Sequence, residues 1–368
     1  MKLECLKKDI EEAVEMASRA ISNSATLPVL RCVVLETKGK SELELKATNL
    51  ELGIKKTIQV DTKKDGKVAI PVQILGAALK TPSSQTKIGI ETTEGSVVVT
   101  TGESKTTIKT IPVDDFPKIP NPEAKDTYLV PTEVLVKGIR SVLHSVSTSL
   151  IKPELASVYM HHEDNHLLFV ATDSFRLAEK KVVYKTDSEF PTAILPAKNI
   201  TDVIRILELQ PPGNIELIID ENQCSIKRDG LYITSRIIDG SFPDYKSILP
   251  KEKTTEVVVL KEDLLAALRK AQIFSDKFGQ VSLHIYPQKK TFTVSARNND
   301  VGEVFASLTA TITGEELDIN FNHRYLLDFF QSISTDSVSL TFSGLGRPLI
   351  LRGVGDSSFS YLVMPMNR

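Results

Sequence analysis

The chain has 368 residues, 41% of them hydrophobic and 25% charged, and a formal net charge of −2. This length predicts two or three domains of roughly 100–200 residues, and the composition is typical of a globular protein. No uncharged apolar run reaches the ~18 residues of a membrane helix, and Asp9, Glu11 and Glu12 stand where a signal peptide is apolar. With so small a net charge, any nucleic-acid binding must come from the local placement of basic residues.

In chain order, six segments carry apolar residues at the spacing of three to four that is typical of helices. The predicted helices cover residues 7–22, 72–81, 132–147, 197–208, 261–277 and 322–332. The apolar faces of the first, third and fifth are Ile10, Val14, Ala17 and Ile21; Val134, Ile139, Val142 and Val146; and Leu264, Leu268, Ala271 and Phe274. Between the helices lie short alternating segments such as "SVVVTT", "IELIID" and "SVSLTF", which predict strands.

The chain contains one pattern written three times. The segments "ATNLELGIKK", "ATDSFRLAEKK" and "ARNNDVGEVF" start at residues 47, 171 and 296, so their spacings are 124 and 125 residues. A second series, "IPVQILGAALK", "LPAKNITDVIRIL" and "FNHRYLLDFFQSI", runs in step with the first. A third series places prolines at 117, 243 and 365, which makes the terminal "YLVMPMNR" the last copy of a strand-end element. Such self-similarity predicts a repeat architecture.

Each repeat therefore combines two helices with about eight strands, and we predict an α+β fold of three repeated domains, each with two helices packed on one face of antiparallel sheets. The Pro-rich "PKIPNPEAKD" and the charged "PKEKTTE" are typical of linkers. They place the predicted domains at residues 1–125, 126–252 and 253–368.

The sequence carries no G-x-G-x-x-G, no G-x-x-x-x-G-K-[ST] and no C-x-x-C motif. The pattern H-E-x-x-H occurs at His162 to His166, but it lies between the predicted strands "SVYM" and "LLFV" and not on the helix that a zinc site of this kind requires. The cluster "HHEDNH" from His161 to His166 is interpreted as a solvated hairpin turn rather than a metal site. The odd, widely spaced Cys5, Cys32 and Cys224 predict buried, reduced thiols and hence a cytoplasmic protein. We expect no enzyme activity, metal or cofactor.

The predicted helices carry a weak excess of basic residues away from their first turns, which suits contacts with phosphates but also ordinary compensation of the helix dipole. From their place on the helices, the residues predicted to face DNA are Lys80, Lys137, Arg140, Arg205, Arg269, Lys270 and Lys277. Six packed helices in a circle leave an opening of about 9 Å, whereas twelve leave about 28 Å. A duplex is about 20 Å across, so a ring around DNA requires at least two chains.

The segments "ATDSFRLAEKK", "FPDYKSILP" and "YLVMPM", in a triplicated chain of this length, resemble the bacterial sliding clamp family, the beta subunits of DNA polymerase III. The resemblance runs from "TLPVL" at Thr26 to the tail. It implies that two chains join head to tail in a closed ring around duplex DNA, with helices inside and sheets outside. Such a ring binds DNA without sequence preference, is opened by an ATP-driven loader and has no catalytic activity. Lys198 matches a DNA-facing position of the family.

The resemblance also implies the partners and their sites. Expected partners are the replicative DNA polymerase alpha subunit, clamp-loader subunits and other proteins with a clamp-binding motif, and no membrane. Their peptides would occupy a pocket between the second and third repeats, at Leu155, Thr172, Ser174, Phe175, Arg176, Leu177, Pro243, Ser247, Ile248, Pro348, Leu362, Val363, Met364, Pro365 and Met366. Edge strands would form the homodimer, with Lys105 and Ile108 against Ile273 and Phe274; the pattern alone suits a core role for Ile273 and Phe274 equally well.

The chain departs from the family at three places. The family often has Gly-His after "ATD", whereas Ser174 and Phe175 stand here and predict an altered pocket floor and partner preference. Some relatives carry an arginine in the loop before "TLP" and tyrosines in the second loop, whereas "SNSA" has no arginine and "KPELAS" has no tyrosine, so the family pattern leaves DNA contacts by these loops open. Two other hypotheses remain open from the residues alone: a scaffold whose helices pack on protein, and a hydrolase with an unrecognised site.

Overall fold

The computed structural model describes residues 1–22, 27–80, 86–102, 104–122, 126–250 and 252–366. The helices are α1 Lys7–Ser18, α2 Val72–Leu79, α3 Thr132–Val142, α4 Ala197–Glu208, α5 Lys261–Ile273 and α6 His323–Asp328. The strands are β1 Lys2–Leu6, β2 Cys32–Lys38, β3 Glu42–Thr48, β4 Leu52–Lys64, β5 Lys67–Pro71, β6 Lys87–Thr93, β7 Ser96–Thr101, β8 Ser104–Lys109, β9 Tyr128–Pro131, β10 Ser157–Glu163, β11 His166–Thr172, β12 Arg176–Val183, β13 Ala193–Pro196, β14 Asn214–Ile219, β15 Gln223–Arg228, β16 Leu231–Arg236, β17 Thr255–Leu260, β18 Gln280–Tyr286, β19 Thr291–Asn298, β20 Gly302–Leu308, β21 Ala310–Gly314, β22 Leu317–Asn322, β23 Ser337–Phe342, β24 Leu349–Gly353 and β25 Phe359–Val363.

The chain divides into two compact units, residues 1–133 with 198–239 and residues 134–197 with 240–368. The first unit contains a twelve-stranded sheet whose main path is β8-β7-β6-β1-β4-β16-β15-β14-β9. Strand β2 pairs with β3 and β5, and β3 also pairs with β4. The unit boundaries cut through the second repeat because its strands β14 to β16 continue the sheet of the first repeat through the β16–β4 pair.

The second unit contains two sheets. The larger has the order β13-β10-β11-β12-β25-β24-β23-β17-β21, and the smaller has the order β20-β19-β18-β22. Here β12 of the second repeat pairs with β25 of the third. Helix α5 packs on β19 and β20 and against α6.

Alternation along the strands explains why they lie with one face on a core. In β7, Val97, Val99 and Thr101 are buried while the residues between them are partly exposed. Helix α1 buries Ile10, Val14 and Ala17 in the same way, because residues three and four apart share one helix face. The predicted α+β architecture of helices on antiparallel sheets is confirmed.

The predicted helix ends are less accurate than the helices themselves. Ile21 and Val146 lie beyond α1 and α3, and Phe274 is the C-cap residue of α5. In the final turns the hydrogen bonds connect residues three apart, as in a 3-10 helix. The amide of Phe274, for example, donates to the carbonyl of Ala271 at 3.1 Å. The first predicted domain boundary falls on residues 123–125, which lie outside the described residues, as do residues 23–25 of "SNSA" and residues 367–368 of the tail.

No helix in the described part of the chain is long and apolar enough to cross a bilayer.

Candidate functional site

The segment "ATDSFR" forms a tight turn between β11 and β12. The hydroxyl of Thr172 donates to the carbonyl of Arg176 at 2.7 Å and accepts from the amide of Ser174 at 3.2 Å. The Asp173 carboxylate accepts from the amides of Phe175 and Arg176 at 2.9 and 3.0 Å. Ser174 has a φ of +77°, a left-handed conformation that glycine adopts more readily than serine. The side chains of Thr172 and Asp173 therefore stabilise a turn in which Ser174 has an unfavourable backbone conformation.

The same turn fixes the guanidinium of Arg176. It donates to Asp173 at 3.0 Å and to Asp328, and it lies over the ring of Tyr325, 4.6 Å from the centroid. The Arg176 side chain is 11% exposed. Burial disfavours its charge, but Tyr361, Asp328 and Asp173 outweigh burial and raise the pKa of Arg176. The group is a permanently charged, pre-positioned donor beside a large cavity.

This cavity has a volume of about 750 Å³, and we call it the main cavity. It is lined by Thr172, Ser174, Arg176, Leu177, Ser247, Ile248, Leu249, Pro250, Glu252, Ser343, Gly346, Arg347, Pro348, Leu362 and Met364. Leu177 and Leu362 are buried in a cluster with Val170 and Tyr245, against which Met364 packs. The main cavity thus combines an apolar base with a few charged and hydroxyl groups at its sides.

The C-terminal segment stops pairing as a strand where it reaches this cavity. Strand β25 ends at Val363, and the amide of Met364 donates to the carbonyl of Phe175 at 2.8 Å. Pro365 has no amide proton to extend the ladder, and the amide of Met366 turns to the carbonyl of Asn320 at 2.8 Å. The side chain of Met364 is left half-buried in the wall of the cavity.

Nine of the fifteen residues predicted for the pocket line the main cavity: Thr172, Ser174, Arg176, Leu177, Ser247, Ile248, Pro348, Leu362 and Met364. Leu155 and Val363 are 7% and 0% exposed, so their side chains belong to the core because they face the inner side of their segments. Phe175 is 60% exposed and lies at the rim. Pro243 lines a neighbouring cavity, and Pro365 and Met366 are half-buried outside the main cavity.

Sequence reasoning missed the wall made by the loop between β23 and β24, with Ser343, Gly346 and Arg347, and the segment of Leu249, Pro250 and Glu252. For the loop between β23 and β24, the sequence "GLGRP" could have indicated a tight turn, because glycine adopts left-handed conformations readily. Gly344 and Gly346 indeed have φ of +102° and +71°.

All eight basic side chains predicted to face DNA are exposed: Lys80, Lys137, Arg140, Lys198, Arg205, Arg269, Lys270 and Lys277. Six lie on helices α3, α4 and α5, while Lys80 is the C-cap residue of α2 and Lys277 follows α5. Arg205 is 3.6 Å from Asp202 one turn earlier, in an exposed pair. Exposed pairs of this kind contribute little to stability, so the guanidinium is available to another anion.

The predicted interface residues fall on or beside strands at sheet edges. Lys105 is exposed on β8, the edge strand of the twelve-stranded sheet. Ile108 of the same strand is only 2% exposed, so its side chain belongs to the core and only its backbone lies at the edge. Ile273 is 66% exposed at the end of α5, and Phe274 is half-buried.

Two exposed apolar side chains on or beside β20, the strand on which α5 packs, were missed by sequence reasoning. Phe305 is 66% exposed on β20, the edge strand of the four-stranded sheet, and Val301 is 58% exposed just before it. The segment "EVFASL" could have indicated Phe305, because Val304 and Phe305 are adjacent in it. Successive side chains of a strand face opposite sides, so one of these two apolar side chains must face away from the core.

The histidine cluster forms the expected hairpin, with Glu163 opposite His166 and Asp164 and Asn165 at φ of +49° and +61° in the turn. His161 and His162 are strand residues that face opposite sides. His161 Nε2 is 3.2 Å from the hydroxyl of Tyr245, and His162 Nε2 is 3.0 Å from the carbonyl of Tyr184. The prediction that they are solvated turn residues was wrong, because both rings pack on neighbouring aromatic residues. Among the described residues, no group of three or more His, Cys, Asp or Glu is arranged to hold a metal ion.

One group of side chains has the spacing of a hydrolase triad. His284 Nε2 is 2.8 Å from the Ser295 hydroxyl, and His284 Nδ1 is 2.6 Å from Asp318. Ser295 is only 7% exposed and pairs on both sides, with Ser282 and Phe305, so the backbone around it is occupied by the sheet. An acyl-transfer site needs an accessible nucleophile and free N–H donors for the oxyanion. The contacts instead connect β18, β19 and β22.

The three cysteines are free and buried, as predicted. Burial raises the pKa of Cys5 and Cys224 to about 12 and that of Cys32 to about 11. Thiols with such pKa values are poor nucleophiles.

Models of the three domains of the DNA polymerase III beta subunit match the chain in succession. The N-terminal domain matches residues 1–120, the central domain residues 129–244 and the C-terminal domain residues 246–367. The chain therefore belongs to the DNA polymerase III beta subunit family, the sliding clamps that confer processivity in DNA replication. The identification made from the sequence is confirmed.

Relatives that match the whole length of this chain are also beta sliding clamps. The beta sliding clamp of Synechococcus elongatus is 27% identical over 375 residues, with 100% of this chain and 99% of the relative covered, and that of Bacillus subtilis is 25% identical over 380 residues. The crystal structure of the Bacillus subtilis sliding clamp has the same fold, with a TM-score of 0.94 at 24% identity over 100% of this chain and 99% of that one. A Pseudomonas aeruginosa sliding clamp bound to griselimycin matches with a TM-score of 0.94 at 24% identity over the whole of both chains.

Proposed function

We propose that two copies of this chain join head to tail in a closed ring that encircles duplex DNA and tethers the replicative DNA polymerase alpha subunit to it. Clamp-loader subunits and other proteins with a clamp-binding motif would use the same peptide site. The ring itself carries out no reaction and works in the cytoplasm, where its DNA is. The observation that carries the tethering role is the main cavity, with Arg176 fixed beside it and Met364 in its wall.

A short peptide fits this cavity on physical grounds. Its volume of about 750 Å³ lies within the usual 300–1,000 Å³ of ligand sites, and such sites combine apolar walls with a few fixed polar groups. Leu177 and Leu362 would take apolar side chains of the peptide, and the thioether of Met364 adapts to side chains of different shapes. Arg176 is already held by two carboxylates, so little of its conformational entropy remains to be lost when a peptide binds.

The exposed basic side chains of the helices would contact DNA phosphates. Phosphate contacts carry no sequence information, and a set of weak ones lets a ring move along the duplex while it stays attached. The eight predicted residues remain our proposal for this surface: Lys80, Lys137, Arg140, Lys198, Arg205, Arg269, Lys270 and Lys277.

For the contact between copies we propose that strand β8 of one chain pairs with strand β20 of the other. Within the described part of the chain both are edge strands, and edge strands readily accept another strand. Lys105 on β8 and Glu303 on β20 are exposed and of opposite charge, and Ile273 and Phe305 are exposed apolar side chains that such a contact would cover. Lys105, Ile108, Ile273 and Phe274 remain the predicted interface residues, with Ile108 contributing its backbone.

The second repeat also gives this clamp its own partner preference. Ser174 and Phe175 replace the Gly-His of many relatives, and an aromatic ring at the rim favours apolar peptide residues there. The boundaries 1–125, 126–252 and 253–368 remain the proposed limits of the three domains.

Retention on circular DNA tests the ring. The purified chain is loaded onto nicked circular plasmid by its clamp loader and ATP, and the bound fraction is measured by gel filtration before and after a restriction enzyme cuts the circle. A ring stays on the circle and leaves the cut DNA, whereas a scaffold bound to protein shows no dependence on the cut. A solution mass of a single chain of 40.6 kDa, both free and on DNA, would reject the proposal.

A further inference from the structure

Next to the main cavity, the second unit has a second cavity of about 410 Å³ lined largely by aromatic residues. We call it the aromatic cavity, and its walls include Tyr159, His161, Phe242, Pro243 and Tyr245. The rings of Tyr159 and Phe242 are stacked at 4.9 Å with an interplanar angle of 9°, and Tyr159 also stacks on His161 at 4.9 Å and 27°. Three rings thus lie in one stack beside open space.

The fold does not require this arrangement. The first repeat has the same hairpin, with Lys38 opposite Glu42 where the second repeat has Glu163 opposite His166. Counting back from these pairs, Val34 corresponds to Tyr159. Val34 is 0% exposed in a cluster that includes Cys32 and Ala69, against which Phe116 packs. The first repeat therefore has a small buried side chain, Val34, where the second repeat has the half-buried ring of Tyr159, although both repeats place a phenylalanine beside this position.

The aromatic cavity adjoins the main cavity, with one buried residue and one turn between them. Tyr245 is buried with Leu177 and Leu362, which form the base of the main cavity. The 3-10 turn Tyr245–Ile248 separates the two cavities, with Lys246 facing the aromatic cavity and Ile248 the main one. A turn of helix is about 10 Å across with its side chains, which an extended peptide crosses in about three residues.

The rim of the aromatic cavity holds one ion pair and one further carboxylate, that of Asp244, so it favours a ligand without negative charge. Lys246 donates to both carboxylate oxygens of Glu163, at 2.7 and 2.6 Å, so each charge is already matched by the other. The hydroxyl of Tyr245 is paired with His161. Tyr159 is stacked between Phe242 and His161, so the edge of its ring is what remains for a ligand. A ring edge prefers the face of another aromatic ring, in edge-to-face geometry.

We infer that the aromatic cavity receives an aromatic side chain of the same partner peptide, about three residues beyond the segment that fills the main cavity. This inference rests on the proposed function, since the peptide must first occupy the main cavity. The second contact would let this clamp distinguish among partners that share the segment bound in the main cavity but differ in the residues that flank it.

The chain contains no tryptophan, so a tryptophan in a peptide can be observed without background from the protein. The probe is a synthetic peptide with the clamp-binding segment of the replicative polymerase alpha subunit, extended at either end by Gly-Ser-Gly-Trp. Matched peptides end in Gly-Ser-Gly-Ala. Dissociation constants come from isothermal titration calorimetry, and tryptophan emission is recorded with excitation at 295 nm.

One of the two Trp extensions is expected to bind about fivefold to tenfold more tightly than its Ala counterpart, with a blue shift of the tryptophan emission. Tyr159→Leu should abolish this ratio, and Tyr159→Phe should keep it. Because the ratio is taken within one variant, a change in folding or in the main cavity cancels. Circular dichroism verifies that both variants fold.

Equal affinities of the Trp and Ala peptides at both ends, or a ratio that Tyr159→Leu leaves intact, would overturn the inference while the unextended peptide still binds. If the unextended peptide fails to bind, and griselimycin fails as well, both the inference and the proposed peptide site fall.

Discussion

The turn after β3 in the first repeat and the turn after β11 in the second have the same backbone and different side chains. In the first, the Thr48 hydroxyl donates to the carbonyl of Leu52 at 2.9 Å and accepts from the amide of Leu50 at 3.0 Å. Asn49 accepts from the amides of Glu51 and Leu52 at 3.0 and 2.8 Å. Thr172, Asp173 and the residues after them make the same bonds. Even the strained residue is equivalent, with φ of +78° at Leu50 and +77° at Ser174.

The two turns differ in the residue that begins the next strand. In the first repeat, Leu52 is 1% exposed in the core, and Glu51 faces Arg236 in an exposed pair 3.9 Å long. In the second, Arg176 takes the place of Leu52 and joins Asp173 to Asp328 beside the main cavity. The repeats thus share a backbone device, while a binding site arises only where one copy carries a charged residue that neighbouring segments can hold.

The largest effect is expected from Arg176 of the second turn, compared with Arg236, which pairs with Glu51 of the first turn. Arg176→Met should lower the free energy of unfolding by about 3–5 kcal/mol, because it leaves Asp173 and Asp328 without their partner in a mostly buried place. Arg236→Met is the matched control and should cost at most about 1 kcal/mol, because its pair with Glu51 is exposed. Urea unfolding followed by circular dichroism measures both. Equal losses in the two variants would mean that the second turn holds its arginine no more firmly than the first.

The stability of the second repeat should depend on pH at a position where that of the first repeat does not. Burial lowers the pKa of His144 to about 4 from its ordinary 6.5, so the unfolded chain binds a proton there more readily than the folded chain. His144 thus contributes stability that is complete above pH 6.5 and is lost as the pH falls toward 4. Between pH 7 and pH 5 the loss is about 2 kcal/mol. Because α1 begins at Lys7 and α3 at Thr132, the first repeat has Arg19 at this position, which keeps its charge throughout.

His144→Leu should remove this share of the pH dependence. The measurement is urea unfolding of the original chain and the variant at pH 7, 6 and 5, with the difference between them taken at each pH. His161 and His323, whose pKa values burial also lowers, contribute equally to both proteins and cancel. A difference that stays constant from pH 7 to pH 5 would contradict the assignment to His144.

A smaller effect is expected on peptide affinity when a side chain in the wall of the main cavity is removed. Met364→Ala should weaken binding of the polymerase peptide about tenfold, because a half-buried methionine loses part of its ~1.5–3 kcal/mol of apolar burial. The equivalent backbone contact at the turn of the first repeat is made by Arg236 at the end of β16, whose amide bonds to the carbonyl of Glu51 as that of Met364 bonds to the carbonyl of Phe175. Arg236→Ala should leave the affinity unchanged. Fluorescence anisotropy of a labelled peptide measures both, and an affinity unaffected by Met364→Ala would remove the tail from the peptide site.

The smallest effect is expected from the strained residues. Leu50→Gly and Ser174→Gly should each raise the free energy of unfolding by about 0.5 kcal/mol, because relief of a left-handed conformation outweighs the greater entropy of glycine in the unfolded chain. The two gains should be equal, since the φ angles differ by only a degree. Urea unfolding of the single and double variants measures them. A gain at one turn and a loss at the other would show that side-chain contacts, and not the backbone, dominate there.

The repeats, the six helices and the alternation of the strands could be predicted from the amino-acid sequence. These are local patterns, since the period of apolar residues in a segment is sufficient to predict a helix or a strand. It also indicated Thr172, Ser174 and Arg176 through a short motif. The sequence predicted helices that extend to Ile21 and Val146, whereas α1 ends at Ser18 and α3 at Val142. The residue at which a helix ends depends on the neighbouring segments rather than on the periodicity of apolar residues.

Which of the predicted side chains can reach a partner depends on how the strands pair and how distant segments pack. Val363 and Ile108 point into the core because strand pairing fixes which face each residue takes, and the register of a pair cannot be read from one strand alone. Asp328, which holds Arg176, is 152 residues away in the chain, and the wall at Ser343 to Arg347 comes from a loop of another repeat. Contacts at such separations depend on how sheets and loops assemble, and no local pattern in the sequence records them.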